Sequence, residues 1–340
     1  MSFLVKYRPI VPLILLAAAL FATPAHASFP GKNGRIAFVF GPDIYTMSAD
    51  GSDVRQLTAF TDDNSAFWES WSADGKQLVF SRFPAPDFFG QLWIMNADGS
   101  DQRLLLNDPG QDDESPSFSP DGSHVVFARC APLGGEFPCA IYRVQVDGSG
   151  LRQITPTRIE LSDFDPVYSP DGSTIAFDSF ARDGILGAMY LMNPDGSNLR
   201  KLTPAVTGAF RADWSPEGQS LAFSDHCCNP PLKSILTIQA DGTKLRQLTH
   251  HQGIFNDLGP SWSPERDAIV FYRVNPTDGS SSIWVASLKR NDEKLIRTLP
   301  AAGLRRRGPA PLARKRARAK SAAAKDIEQS GALPRWGVSQ

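Results

Sequence analysis

Residues 168–203 read YSPDGSTIAFDSFARDGILGAMYLMNPDGSNLRKLT. One apolar run ends at Tyr168, and three more follow: Ile175-Ala-Phe177, Met189-Tyr-Leu-Met192 and Leu199-Arg-Lys-Leu202. Short runs rich in Ile, Phe and Tyr, bounded by Gly, Pro and Asp, are strands. The Ser-Pro-Asp-Gly and Pro-Asp-Gly-Ser pieces between them are turns. There Pro presets φ, Gly takes positive φ, and Asp bonds the backbone two residues on. The stretch therefore predicts four antiparallel strands, with one turn type joining strands one and two and the other joining three and four.

The same unit recurs along the chain. Asp-Gly-hydroxyl triplets begin at Asp50, Asp98, Asp147, Asp195 and Asp241. A second series, aromatic-Ser-Pro-acid-Gly and its variants, places aromatics at Trp71, Phe118, Tyr168, Trp214 and Trp262. Phe29, in Phe29-Pro-Gly-Lys-Asn-Gly, reads as a worn first copy. Two series with one period of about 45 residues and four strands per period predict a propeller. The expected fold class is all-β, a six-bladed β-propeller of four-stranded antiparallel blades. Its blades cover about residues 28–58, 61–107, 111–157, 159–205, 206–251 and 252–300. Each sheet is sandwiched between neighbours, so the repeated aromatics are core.

Of 340 residues, 41% are hydrophobic, enough for a core and against wholesale disorder. The net charge of −1 hides an asymmetry. Residues 301–340 hold ten Lys and Arg against two acids, whereas residues 28–300 hold 23 against 34. An acidic body lacks the electrostatic footprint of a nucleic-acid binder. The segment 301–340 reads as a basic, disordered tail, which could dock on the acidic body or touch anionic lipid. Its last stretch, Leu333-Pro-Arg-Trp336-Gly-Val, has strand-like composition. Blade one has only Ser28 ahead of Phe29 once the leader is removed, so this stretch is a candidate for its missing inner strand.

Residues 1–27 combine a basic start, a short apolar run and Ala25-His26-Ala27, the pattern of a secretory signal peptide cleaved near Ala27. The apolar run is shorter than a membrane span needs. The mature protein is expected in the periplasm or secreted. Four cysteines suit an oxidising compartment. Cys130 and Cys139 bracket one loop and are expected to pair. Cys227 and Cys228 are left as either a vicinal bridge or two thiols.

The aromatic-Ser-Pro-Asp-Gly…Ile-Ala-Phe signature, followed by Ile-Tyr-x-Met-Asn-x-Asp-Gly-Ser…Arg-x-Leu-Thr, resembles the propeller repeat of the TolB family. Residues 118–155 and 168–203 are the nearest copies. The resemblance covers about 270 residues. It implies a non-enzymatic, protein-binding propeller of the cell envelope, without the mixed α/β domain that precedes the propeller in TolB. The repeats also resemble the propellers of prolyl-oligopeptidase-type peptidases, whose catalytic domain is not expected here.

The connections from strand two to three, and from blade to blade, vary in sequence. Variable loops on a rigid scaffold are where binding resides. Phe88, Phe89, Phe137, Ile185, Leu186 and Phe255 lie in them and define a candidate partner-binding rim. Alternatively they fold down to plug the blade tops. Acids recur just before strand one. Asp63, Asp113, Asp163, Asp213 and Asp257 are candidates for a carboxylate ring at the channel mouth, or for simple loop caps. Such a ring could hold a divalent cation, although no cofactor is expected. His226, Cys227, Cys228, His250 and His251 match no standard zinc spacing. No nucleophile elbow, zinc-protease or phosphate-loop motif is present. The sharpest break in the repeat is Arg211-Ala-Asp213.

Two functions follow. The first is an exported monomeric scaffold, without nucleic acid, that binds a protein or cell-envelope component through its variable-loop face. The alternative is a propeller hydrolase or lyase acting on a glycan or lactone with a divalent metal at the axis.

Overall fold

The structure, a computed structural model, describes residues 30–60, 64–86, 88–131, 138–159, 161–180, 187–204, 208–225, 234–250, 255–290, 292–299 and 334–338. These residues form six four-stranded antiparallel sheets and no helix. Blade one holds β1 (Asn33–Phe40), β2 (Asp43–Met47) and β3 (Arg55–Gln56). Blade two runs β4 (Ser65–Trp71), β5 (Gln77–Phe83), β6 (Gln91–Asn96) and β7 (Arg103–Leu106). Blade three runs β8 (Asp112–Phe118), β9 (His124–Cys130), β10 (Cys139–Gln145) and β11 (Arg152–Gln153). Blade four runs β12 (Ser162–Tyr168), β13 (Ile175–Phe180), β14 (Ala188–Met192) and β15 (Arg200–Lys201). Blade five runs β16 (Phe210–Trp214), β17 (Ser220–Asp225), β18 (Ser234–Gln239) and β19 (Arg246–Gln247). Blade six runs β20 (Asn256–Trp262), β21 (Ala268–Val274), β22 (Ser281–Ser287) and β23 (Glu293–Leu299). The fourth strand of blade one is β24 (Arg335–Val338), which pairs with β1 as its innermost member.

That last pairing bears out the candidate inner strand in residues 333–338 and corrects the reading of Phe29 as the first aromatic of the series. In blades two to six the strand-one aromatic faces the first apolar residue of strand two: Trp71 with Leu78, Phe118 with Val125, Tyr168 with Ile175, Trp214 with Leu221, Trp262 with Ile269. In blade one the residue facing Ile36 is Trp336. The sixth aromatic of the series is therefore Trp336; Phe29 lies outside the described residues. The propeller also draws in residues beyond 300, which the sequence division leaves in the tail. Trp336 is 7% exposed and packs in one cluster with Ile36, Trp71 and Val270. Burying a side chain of this size contributes roughly 1.5–3 kcal/mol or more.

The sheets are apolar on both faces, as stacking between neighbours demands. The strand-two phenylalanines Phe38, Phe80, Phe127, Phe177, Phe223 and Phe271 are fully buried. Outer strands are only two residues long in blades one, three, four and five. The Leu-Thr or Ile-Thr that ends each of these repeats explains why. The hydroxyls of Thr58, Thr155, Thr203 and Thr249 accept the strand-three N–H of Ile44, Ile141, Met189 and Ile235 at 2.9–3.0 Å. A side chain thus completes the ladder, and the short edge leaves little backbone to template aggregation. Cys130 and Cys139 face each other across β9 and β10 and form the expected disulfide. Cys227 and Cys228 lie outside the described residues.

Candidate functional site at the axial mouth

The inner strands line the axis, and each of those in blades two to six carries a bulge. Two of its residues oppose a single strand-two phenylalanine, as Trp68 and Glu69 oppose Phe80. The first bulge residue has positive φ: Trp68 (56°), Ser115 (53°), Asp165 (47°), Arg211 (55°) and Gly259 (59°). Bulges re-aim side chains, and a bulky residue at positive φ costs energy that the surrounding sheet must hold in place. The second bulge residue is proline in blades three, four and six: Pro116, Pro166 and Pro260. Blade two has Glu69 there and blade five has Ala212.

The re-aimed side chains meet across the axis. Blades two and five are diametrically opposed in a ring of six, yet the Arg211 guanidinium sits 5.9 Å from the Trp68 ring centroid. The Nε of Arg211 lies 3.4 Å from Asp165 Oδ2, and its backbone N–H donates to Asp178 Oδ1 at 3.3 Å. Ser115 Oγ donates to Asp165 Oδ1 at 2.6 Å. Blades two, three, four and five are thus tied together at one point. Burial pulls Arg211 below its ordinary value, against the opposing pull of Asp165. Burial also pushes Asp178 well above the carboxylate range, with the nearby Asp165 charge adding to it.

Glu69, like the Nε and Nη1 of Arg211, is buried near the axis without a side-chain hydrogen-bond partner. It is 1% exposed, and neither carboxylate oxygen finds a hydrogen-bond partner beyond its own amide. Burial pushes its carboxyl up to about 8, against the pull of Arg335 and Arg211. Arg335 occupies the register position of Ser70, Ser117, Val167, Asp213 and Ser261, one residue ahead of the aromatic. Trp68, Asp165, Asp213, Ser261 and Arg335 help line a narrow axial cavity of about 60 Å³. That is room for a few waters, well under the ~300–1,000 Å³ of ordinary small-molecule sites.

Aromatic side chains flank this charged point. Trp68 meets Phe83 edge-on at 5.4 Å and Phe67 at 5.9 Å; Phe164 meets Phe180 edge-on at 6.0 Å. Phe67, Trp68, Phe164 and Phe180 are half-buried, as are the loop residues Phe88, Phe89 and Phe255. Phe137, Ile185, Leu186 and Asp63 lie outside the described residues.

The other acids of the recurring series are engaged within and between the sheets. Asp113 receives two hydrogen bonds from Arg129, at 2.7 and 2.9 Å, and Asp257 two from Arg273, at 2.7 and 2.8 Å. Each pair spans strands one and two at the same register, in opposed blades three and six. Each arginine also packs over two aromatic rings, Phe127 and Tyr142 or Phe271 and Trp284. Asp163 accepts from Ser179 Oγ, and Asp213 Oδ2 accepts the Trp262 N–H of the next blade. All four carboxylates are buried. Among the described residues no group of three or more His, Cys, Asp or Glu is placed to hold a metal ion.

Sequence reasoning singled out Arg211 and missed Trp68 and Glu69 as its counterparts. The legible signal was the loss of proline from the bulge in those two blades.

Comparison with known proteins agrees with this architecture. Residues 136–302 match PD40, the TolB beta propeller domain. Over 118 residues the chain is 34% identical to the Tol-Pal system protein TolB of Anaeromyxobacter dehalogenans, covering 34% of this chain and 25% of that protein. The chain carries a TolB-like propeller. The crystal structure of TolB from Acinetobacter baumannii superposes with a TM-score of 0.64 at 17% identity, covering 90% of this chain and 67% of that one. An oligogalacturonate lyase from Vibrio parahaemolyticus shares the fold with a TM-score of 0.54 at 15% identity, over 80% of this chain and 78% of that one. The match to the curated TolB protein spans about a quarter of that relative's length.

Proposed function

We propose that this TolB-like propeller is an exported scaffold that binds a protein or cell-envelope partner at its variable-loop face, around the axial mouth. The observation that carries this reading is the half-exposed Trp68 ring, backed by Phe67 and Phe83, standing over a buried charged point made from blades three, four and five. Aromatic anchors around a desolvated polar centre are what interface hot spots are made of. The leader-like start of the chain and its kinship to a Tol-Pal system protein support a place in the periplasm or outside the cell, beside an envelope partner. The basic segment after residue 300 supports a peripheral contact with anionic lipid.

The enzyme alternative draws on likeness of fold alone. Arginines 211 and 335 stand beside the axial carboxylates, which favours an anionic or hydrogen-bonding partner group over a divalent cation there.

The test is retention of envelope proteins on the immobilised chain, compared with a Phe88→Ala/Phe89→Ala variant and with Trp68→Ala. A partner held by the parent chain and reduced at least about tenfold by either variant, at unchanged circular dichroism, supports the proposal. Equal retention by all three refutes it.

A further inference from the structure

The position filled by β24 is a slot with its own specificity. Trp336 faces Ile36 and Arg335 faces Ala37 across the pair with β1. The Trp71 indole N–H donates to the Arg335 carbonyl at 3.3 Å, and the Trp336 backbone N–H donates to Ser261 Oγ at 3.2 Å. Three neighbouring elements, β1, β4 and β20, thus read the strand. Two close approaches restrict what fits. A Cβ on Gly337 would lie 2.8 Å from the Trp71 ring, and one on Gly34 would lie 2.3 Å from the Val338 carbonyl carbon. The slot therefore accepts an extended segment with a large aromatic followed by glycine. Strand addition of this kind takes affinity from the main chain and specificity from alternate side chains.

Nothing in the connection obliges the strand to come from the same molecule. Thirty-four residues lie between Leu299 and Pro334. A chain of that length can reach up to about 110 Å, whereas crossing one four-stranded blade takes only about 15 Å. Closure in cis is then favoured only by effective concentration.

We infer that blade one carries a strand-acceptor site for an extended Pro-Arg-Trp-Gly-Val segment, and that a second copy of this chain can supply that segment in trans. The occupant is named by the chain itself, because residues 334–338 already satisfy every contact above.

Two chains test this. The acceptor ends at residue 330 and has an open slot. The donor carries Gly34→Leu, which blocks its own slot and leaves its residues 334–338 intact. Mixed at equal concentration, they are expected to form a 1:1 heterodimer by light scattering, doubling the mass that each shows alone. In parallel, a labelled peptide of residues 331–340 should bind the acceptor saturably, and its Trp336→Ala form at least tenfold more weakly. If the acceptor is insoluble alone, refolding it with excess peptide should recover it. Peptide binding without a heterodimer overturns exchange between copies. No binding and no rescue overturns the acceptor site as well.

Discussion

Blades three, four and six put proline second in the inner-strand bulge; blades two and five do not, and those two meet across the axis. Blade one shares the sequence spacing of the first group, since Pro334 precedes Arg335 and Trp336 as Pro116 precedes Ser117 and Phe118. Proline there costs nothing. The bulge residue is outside the regular ladder, and the fixed φ lowers the entropy of the unfolded chain. A blade that gives up this proline for a buried glutamate loses stability and gains a polar group at the axis. The difference separates sheet-building positions, which repeat, from positions at the mouth, which vary.

The comparison can be broken most severely at blade one. Trp336→Ala should lose about 3–5 kcal/mol in denaturant unfolding, the cost of truncating a large core side chain. A loss under about 1 kcal/mol would mean that Trp336 is not the sixth inner-strand aromatic. Conversely, Glu69→Pro should make blade two resemble its proline-bearing neighbours and stabilise the fold by about 1–3 kcal/mol at pH 8. The pH profile sharpens the point. The Glu69 carboxyl is held near 8 in the native state against an ordinary value of 4.5. Below about pH 4.5 it is protonated in both states and its contribution is fully present. As pH rises towards 8 the unfolded chain gives up the proton that the native state keeps, so stability falls by at most about 1.4 kcal/mol per pH unit. Glu69→Gln should remove that slope, and chemical unfolding at pH 5, 6.5 and 8 measures it. At the other end of the sheet, Thr203→Val strips the hydroxyl that accepts the Met189 N–H. It should cost about 1–2 kcal/mol, the price of a buried donor left unmade.

The period made most of the fold readable. Turn residues and apolar triplets recur in every copy, so the four-stranded blade, the count of six and the Cys130–Cys139 pairing followed from local pattern. Blade one was harder because its inner strand comes from the far end of the chain, and Phe29 stood in the nearer place. Pro334-Arg-Trp336 nevertheless repeats the Pro-x-aromatic spacing of Pro166-Val-Tyr168 and Pro260-Ser-Trp262. The recurring acids were visible as a series, whereas their partners stand on the neighbouring strand, outside the local pattern. Arg129 and Arg273 each lie two residues after the strand-two phenylalanine, on the strand that pairs with the acid. The contact of Trp68 with Arg211 is set by diametric placement in a closed ring, which no local window contains.

Closure of that ring by residues 335–338 is the claim on which the geometry of the mouth depends. Hydrogen exchange of the 335–338 amides in the full-length chain tests it without any substitution. Protection comparable to that of β16, another inner strand, is predicted; exchange as fast as in a free peptide of the same sequence would contradict it.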